Sequence, residues 1–458
     1  MKVPVTLALT KAAAAASRLL GRGGGHALPG LLAEKFDPHL AKKLAAGLPN
    51  GVILVTGTNG KTTTTKLIAA ALAAGGEKVL TNSTGSNLKR GVVSALIGAA
   101  DLRGHIDATV GLFEVDEASL RQVAPELQPQ HIIVLNLFRD QLDRYGELDT
   151  TAALIGQGIG ATRARLHLNA DDPLVASLGK YASSPELVSY FGIEGLPSGA
   201  ATAHQTATDS DRCPVCRERL KFSRIFYGHI GHYRCPAGHF TRPQPSTSLV
   251  HVKQSDLNGA DFVVAVDGKR HELHFSLPGT YNLYNALAAI SLADGFGIKF
   301  EHVAHALAST AAAFGRVERV ELEGRTLCLL LIKNPAGFSQ VLETFLVGRQ
   351  GVRAIMAIND LDADGRDVSW LWDVPLEALA SSDPPVLITA GIRSADMALR
   401  LHYAGLKAEV SSDFEDAIKR LLKATPEGEI AYILPSYTAM LQIRKILAAR
   451  AEMQEVWK

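Results

Sequence analysis

The sequence predicts an α/β protein in two doubly wound parts: a larger phosphate-binding domain carrying a Cys-rich metal ribbon as an insertion, and a smaller Rossmann-like domain behind it. Three observations carry this expectation. Short β-branched runs alternate with Ala/Leu-rich stretches from Gly51 onward, a Gly-Lys-Thr loop separates the first run from the first helix, and three of the 4 cysteines fall between Cys213 and Cys235. A chain of 458 residues, 47% hydrophobic, can bury about two or three cores. The balance of 47 Lys plus Arg against 46 Asp plus Glu leaves a net charge of +1, which argues against a nucleic-acid binder built on broad phosphate contact. Four cysteines are too few for a secreted disulfide scaffold.

Residues 1–50 are expected to form an amphipathic helix and a Gly-rich arm. Met1–Leu20 is apolar, but Lys11 and Arg18 interrupt it, and Gly21–Gly25 is not a small-residue cleavage site of the secretory kind. No segment reaches about 18 uncharged apolar residues. The chain therefore reads as cytoplasmic, with at most peripheral membrane contact. Residues 51–314 form the central domain. Its strands are expected at Val52–Val55, Lys78–Leu80, Thr109–Glu114, His131–Leu135, Arg165–Leu168 and Leu187–Tyr190, with helices at Thr62–Ala74, Ser119–Val123, Thr151–Ala161 and Tyr281–Phe296. Residues 205–245 break this pattern with Ser, Thr, Pro, Cys and His, as an inserted module does. Residues 315–458 resume it as the second domain. Strands are expected there at Thr326–Ile332, Arg353–Ile358, Val386–Thr389 and Ile430–Leu434, and helices near Ser339–Val347, Ser394–Tyr403, Asp413–Lys423 and Tyr437–Arg450.

The loop Gly57-Thr58-Asn59-Gly60-Lys61-Thr62-Thr63 carries the first chemistry. Its glycines let the backbone wrap phosphate oxygens, the helix N-terminus supplies positive potential, Lys61 adds a point charge and Thr62 offers a hydroxyl to Mg²⁺. The strict Walker pattern has Gly where this chain has Val55, so position between a strand and a helix carries the assignment. A nucleotide site also needs carboxylates from neighbouring strand ends. Glu114-Val115-Asp116-Glu117 and Asn136-Leu137-Phe138-Arg139-Asp140-Gln141-Leu142-Asp143-Arg144 provide them.

Cys213-Pro214-Val215-Cys216 and Cys235-Pro236-Ala237-Gly238-His239 suit two zinc knuckles. Gly238 stands where a fourth Cys is usual, so His239 is the expected fourth ligand, with His232 and His229 as fallbacks. Such a closed site is structural. Cys328 lies in an apolar strand run and reads as a buried, inert thiol. No cysteine is left over to act as a nucleophile.

The phosphate loop, Glu114, Asn136 with Asp140-Gln141-Leu142-Asp143-Arg144, Leu168-Asn169-Ala170-Asp171-Asp172-Pro173 and Gly279-Thr280-Tyr281-Asn282-Leu283-Tyr284-Asn285-Ala286 resemble, in this order, the central domain of the Mur ligase family. The resemblance implies ATP-dependent activation of a carboxylate as an acyl phosphate and its capture by an amine. It implies that Glu114 and Thr62 hold Mg²⁺, that Lys61 contacts the phosphates, that Asn282 and Asn285 lie near the nucleotide, and that Arg316 reaches ATP from the hinge. This chain departs from the amino-acid-adding members. It has Gln141 for their His, Leu330 and Lys333 for the Asp and His of an Asp-x-x-His-Asn-Pro segment, and a front segment too short for a uridine-nucleotide domain.

With the ribbon, Lys333-Asn334-Pro335-Ala336-Gly337-Phe338 and Asp364-Gly365-Arg366-Asp367-Val368-Ser369-Trp370-Leu371-Trp372-Asp373, the resemblance extends to the branch that amidates lipid II. It implies a partner glutaminase of the GatD type that makes ammonia and receives an Asp from the last domain, Asp367 or else Asp364. Trp370 and Trp372 are expected on one face of an extended segment, as core. Two other readings are a ligase adding an amino acid, as folylpolyglutamate synthase does, and a P-loop switch whose zinc ribbon binds nucleic acid or protein.

Overall fold

A computed structural model of the chain describes residues 3–19, 28–82, 86–139, 148–196, 209–256, 258–309, 318–380 and 384–451. Apart from Arg139, these fall into two compact units, one running to Ser309 and the other beginning at Glu318. Arg316, the Asp140–Arg144 segment with Gln141, and the Gly21–Gly25 arm lie outside the described residues.

Runs of Val, Ile and Leu that are buried on both faces make the parallel core of the first unit. Its strands are β1 Val52–Thr56, β2 Val79–Thr81, β3 Val110–Glu114, β4 His131–Val134, β5 Arg165–Asn169 and β6 Val188–Ile193. A separate hairpin follows, β7 Lys221–Tyr227 and β8 Ile230–Arg234, and then β9 Thr247–Asp256, β10 Gly259–Val266 and β11 Lys269–Phe275. Among the described residues nine strands form one sheet in the order β11-β10-β9-β6-β5-β4-β1-β3-β2. It is parallel from β2 to β9, and β10 and β11 add an antiparallel edge. That edge differs from the simple return of α/β pattern expected after Ser248: β10 alternates buried and half-buried residues, the signature of an antiparallel strand covered on one side.

The chain before β1 belongs to the same core. Helices Val3–Leu19, Leu28–Phe36 and Leu40–Ala45 bury Leu7, Ala33, Leu40 and Leu44 against Val92 and Leu96 of helix Lys89–Ala99. Among the described residues, no helix is long and apolar enough to cross a membrane.

The second unit contains β12 Glu318–Leu322, β13 Arg325–Leu329, β14 Arg353–Ala357, β15 Val386–Ala390, β16 Ala408–Val410 and β17 Ile430–Pro435. Their order is β12-β13-β17-β14-β15-β16, parallel except for the β12 edge. Leu327, Ile355, Ile388 and Ile433 pack beneath helices Phe414–Ala424 and Tyr437–Ala448. Cys328 is buried in β13, and that burial pushes its thiol pKa up, which suits the inert reading.

Candidate active site

The phosphate loop joins β1 to helix Lys61–Ala74 at the carboxyl edge of the sheet, where open α/β sheets bind ligands. Two of its glycines are obligatory. Gly57 (φ +130°) would press a Cβ to 3.0 Å from the Asn136 backbone, and Gly60 (φ +93°) would drive one to 2.2 Å from Asn285 Oδ1. The Thr58 N–H donates to Asn136 O (2.9 Å), the Asn59 N–H to Asn136 Oδ1 (2.9 Å), and Asn136 Nδ2 donates back to Asn59 O (3.0 Å). Asn136 thus holds the front of the loop. No side chain caps the helix that follows, which leaves its N-terminus to an anion. Thr63 Oγ1 is buried there with no hydrogen-bond partner among the described residues.

Lys61 Nζ donates to Gly57 O at 2.5 Å and pairs with Glu117 Oε1 at 3.2 Å. The Thr62 hydroxyl donates to Glu114 Oε2 at 3.0 Å. Two hard oxygen donors meeting beside the phosphate loop are what Mg²⁺ takes, so the residues present fit the metal. Glu114 is positioned by Asn82, whose Oδ1 accepts from the Glu114 N–H (2.9 Å) and whose Nδ2 donates to Glu114 O (3.0 Å). Asn282 and Asn285 arrive on helix Thr280–Phe296: Asn285 Nδ2 donates to Asn282 Oδ1 (3.1 Å), and Asn285 Oδ1 accepts from Thr64 Oγ1 (3.2 Å). The structure therefore gathers Lys61, Thr62, Glu114, Asn282 and Asn285 within one unit. It adds Asn82, which sequence reasoning missed, and pairs Glu117, one of the strand-end carboxylates the sequence offered, with Lys61. Asn82 carried no signal.

The ribbon window folds as two tight knuckles. In the first, the Cys213 N–H donates to Glu218 O (2.8 Å) and the Arg217 N–H to Cys213 O (2.9 Å), with Arg217 at φ +65°. In the second, the Cys235 N–H donates to Phe240 O (2.7 Å) and the Gly238 N–H to Cys235 O (3.0 Å), with Gly238 at φ +77°. The sulfurs of Cys213, Cys216 and Cys235 lie within 4.8 Å of one another, and the Cys216 and Cys235 sulfurs are 3.5 Å apart. Thiolates at about 2.3 Å from zinc stand about 3.8 Å apart, whereas a disulfide needs about 2.05 Å. Burial raises the Cys235 pKa, but the His239 backbone N–H and the Cys216 thiol outweigh it and push the value down to about 7.

The fourth ligand departs from expectation. Among the described residues the clustered donors are the three thiols, and the His239 ring is not one of them. The left-handed turn at Gly238 carries His239 to the exposed outside of its knuckle. His232 is engaged elsewhere, donating Nε2–H to Ile193 O at 2.6 Å. His229 is buried 3.4 Å from Asp172.

In the second unit the two aspartates separate. Asp364 is buried, and its carboxylate accepts from the Thr438 N–H (2.8 Å), the Thr438 hydroxyl and the Leu361 N–H (3.2 Å), pinning the start of helix Tyr437–Ala448. Asp367 is exposed and bonds only locally among the hydrogen bonds described, to the N–H (2.8 Å) and hydroxyl (2.9 Å) of Ser369. The Trp expectation is corrected. Ser369–Asp373 is a 3₁₀ helix, so residues two apart diverge: Trp370 meets Phe338 (6.3 Å), and Trp372 is half exposed against Tyr403 (5.4 Å). Asn334-Pro335 of the second unit is a helix start, with Asn334 Oδ1 accepting from the Gly337 N–H at 2.8 Å and Pro335 at the first helical position.

A parallel sheet with a phosphate loop after β1, a Thr–carboxylate pair beside it and an Asn-bearing helix behind it defines a nucleotide-binding protein of the Mur ligase type. Residues 55–231 match the Mur ligase middle domain, and residues 331–440 match the MurT ligase C-terminal region. The chain is 33% identical, over 98% of its own length and 98% of the relative's, to the lipid II isoglutaminyl synthase (glutamine-hydrolyzing) subunit MurT of Streptococcus pneumoniae. It is 32% identical, over 94% of each, to the subunit of the same name from Staphylococcus aureus. A pseudomurein peptide ligase type C from Methanothermus fervidus shares the fold at a TM-score of 0.68 and 21% identity, covering 87% of this chain and 78% of that one. The chain belongs to the MurT branch of the Mur ligase family.

Proposed function

We propose that this chain is the ATP-dependent synthetase subunit of a lipid II isoglutaminyl synthase. The full-length likeness to the Streptococcus pneumoniae subunit carries this reading, because it spans both the phosphate-loop unit and the second unit. We adopt a front segment of 1–50, a central ATP domain of 51–314 with its ribbon insertion at 205–245, and a last domain of 315–458.

A carboxylate is a poor electrophile because its charge is shared between two oxygens. The α-carboxylate oxygen of the D-glutamate in lipid II attacks the γ-phosphorus of ATP, a C–O–P link forms, and ADP leaves. The ammonia lone pair then attacks the carbonyl carbon, phosphate leaves with the C–O electron pair, a proton is lost, and the amide of D-isoglutamine remains. Lys61 supplies fixed positive charge to the moving phosphoryl group. Thr62 and Glu114 hold Mg²⁺, which when bound shields phosphate charge. Asn282, Asn285, the loop Gly57–Thr63 and Arg316 bind the nucleotide. Cys213, Cys216 and Cys235 hold a structural zinc, its fourth ligand supplied from outside the cluster.

Among the described residues Cys213, Cys216 and Cys235 are gathered in one cluster and Cys328 is buried, which leaves no cysteine free for a glutaminase and supports drawing ammonia from a partner of the GatD type. Asp367 is exposed and faces that role; Asp364 serves the fold. The substrate sets the place of work at the inner face of the membrane.

The test is incubation of the purified chain with lipid II, ATP, Mg²⁺ and ammonium chloride. Amidated lipid II and one phosphate per amide are expected. ATP turnover only with an added amino acid would sink the amidation reading in favour of an amino-acid ligase.

A further inference from the structure

We propose that the tip of the ribbon hairpin, through His229, positions the phosphate loop, so that the ribbon supports nucleotide binding. The inference rests on the reading that this loop binds ATP. It concerns a positioning residue, because His229 reaches the loop only through other residues.

The hairpin β7–β8 turns at Gly228-His229, and the turn is driven into the body of the first unit. A Cβ at Gly228 (φ +54°) would come within 2.9 Å of the Phe138 ring. His229 itself is fully buried, its ring centroid 4.7 Å from that of Phe138, and Phe138 in turn stacks on Tyr227 at 5.7 Å. His229 Nε2 lies 3.4 Å from Asp172 Oδ2, yet among the described residues neither ring nitrogen finds a hydrogen-bond partner. A buried imidazole in that condition costs stability, and an apolar side chain would pack there without the penalty. A polar group left in such a place points to a role beyond packing.

What it touches gives the role. The Asp172 oxygen that faces His229 also accepts the Leu137 N–H at 2.8 Å. Leu137 lies between Asn136 and Phe138, and both of these hold the phosphate loop. Asn136 takes the Thr58 and Asn59 amides, the Phe138 N–H donates to Thr58 Oγ1 (3.0 Å), and Thr58 Oγ1 donates to Phe138 O (3.2 Å). The segment 136–138 is therefore gripped on one side by the loop and on the other by His229 and Asp172.

The hairpin is stiff enough to act from its tip. The Gly231 N–H donates to Asp171 O (2.9 Å), the Tyr233 hydroxyl donates to Ala170 O (3.0 Å), and buried Asp171 takes the Arg242 guanidinium together with the Tyr284 hydroxyl (2.6 Å). The knuckle thiols fix its base against Leu220 and Tyr233.

The experiment uses the full chain with its glutaminase, and measures binding of a non-hydrolysable ATP analogue, KM for ATP and kcat with ammonium chloride, and thermal midpoint. His229→Ala should raise KM for ATP about tenfold, the scale of one lost buried ring contact, with kcat within about twofold. His229→Phe, which keeps the ring, should show a smaller rise at an unchanged or higher midpoint, and His229→Gln, which restores a donor facing Asp172, should recover part of the affinity. An unchanged KM in His229→Ala overturns the proposal. So does a fall in kcat that tracks the thermal midpoint across all three variants, since that marks a merely structural residue. Failure of the underlying ATP reading looks different: the wild-type chain would then bind no analogue, and Lys61→Ala would change nothing.

Discussion

Asp364 and Asp367 lie three residues apart in one loop, and the structure predicts opposite consequences for them. The Asp364 carboxylate accepts hydrogen bonds from the Thr438 N–H, the Thr438 hydroxyl and the Leu361 N–H, and is buried. A buried hydrogen bond to a charged group contributes about 1.5–3 kcal/mol, and such contributions overlap when one side chain makes them all. Asp364→Ala should therefore cost about 3 kcal/mol and lower the unfolding midpoint of the second unit by roughly 6–12 °C. Asp367 bonds only Ser369 among the contacts described, and is exposed, so Asp367→Asn should change stability by less than about 0.5 kcal/mol. Its effect belongs to chemistry instead. If it orients the glutaminase histidine, as a carboxylate does in a hydrolytic triad, Asp367→Asn should cut glutamine-dependent amidation by at least about 100-fold. Amidation driven by ammonium chloride should stay within about twofold. The assay runs both nitrogen sources on the purified complex, with calorimetry of each variant alongside. Equal loss of both activities in Asp367→Asn would refute the assignment, as would a neutral Asp364→Ala.

Three further outcomes are expected. Glu114→Gln and Thr62→Ala should each raise the Mg²⁺ concentration for half-maximal amidation about tenfold or more, because each removes one of the two paired oxygens; an unmoved Mg²⁺ titration would place the metal elsewhere. Elemental analysis should find one zinc per chain, lost in Cys213→Ser but kept in His239→Ala, since the His239 ring stands outside the thiol cluster. Burial first, and the Arg165 charge second, push the His131 pKa down to about 4, and burial pushes His167, 3.1 Å away, in the same direction. The fold excludes a proton that the unfolded chain binds below about pH 6.5, so stability is flat above that pH and falls as pH drops from 6.5 toward 4, by up to about 3 kcal/mol for His131. Urea midpoints measured across that window should flatten in His131→Gln; an unaltered slope would mean that another group carries it.

Much of the fold was legible because a parallel strand buried on both faces is a contiguous apolar run, and its helices carry their own period. β1, β3, β4, β5 and β14 could be read to within about a residue on those grounds. The strands β9 to β11 and the edge β12 were not, since half-exposed alternation is easily taken for loop. The site divides along the same line. The phosphate loop is contiguous, and its Gly, Lys and Thr each have a local reason to be there. Asn82 has none: its amide matters only because tertiary packing sets it beside the Glu114 backbone. Asp364 and Asp367 look alike in sequence, and burial alone separates them. Trp370 and Trp372 were misread because the period assumed was 2, while the chain winds at about 3.

The Lys61–Glu117 pair shows how the nucleotide site is kept ready. At 3.2 Å, with both side chains about nine-tenths buried, the two charges attract by roughly 5 kcal/mol at an effective dielectric of about 20. Glu117 and the Gly57 carbonyl together hold the Lys61 ammonium back against the loop. Glu117 stands three residues beyond Glu114, the last residue of β3. On the proposed reading a nucleotide phosphate would replace Glu117 as the partner of Lys61, so the lysine charge would pass from one anion to another without being left buried and alone.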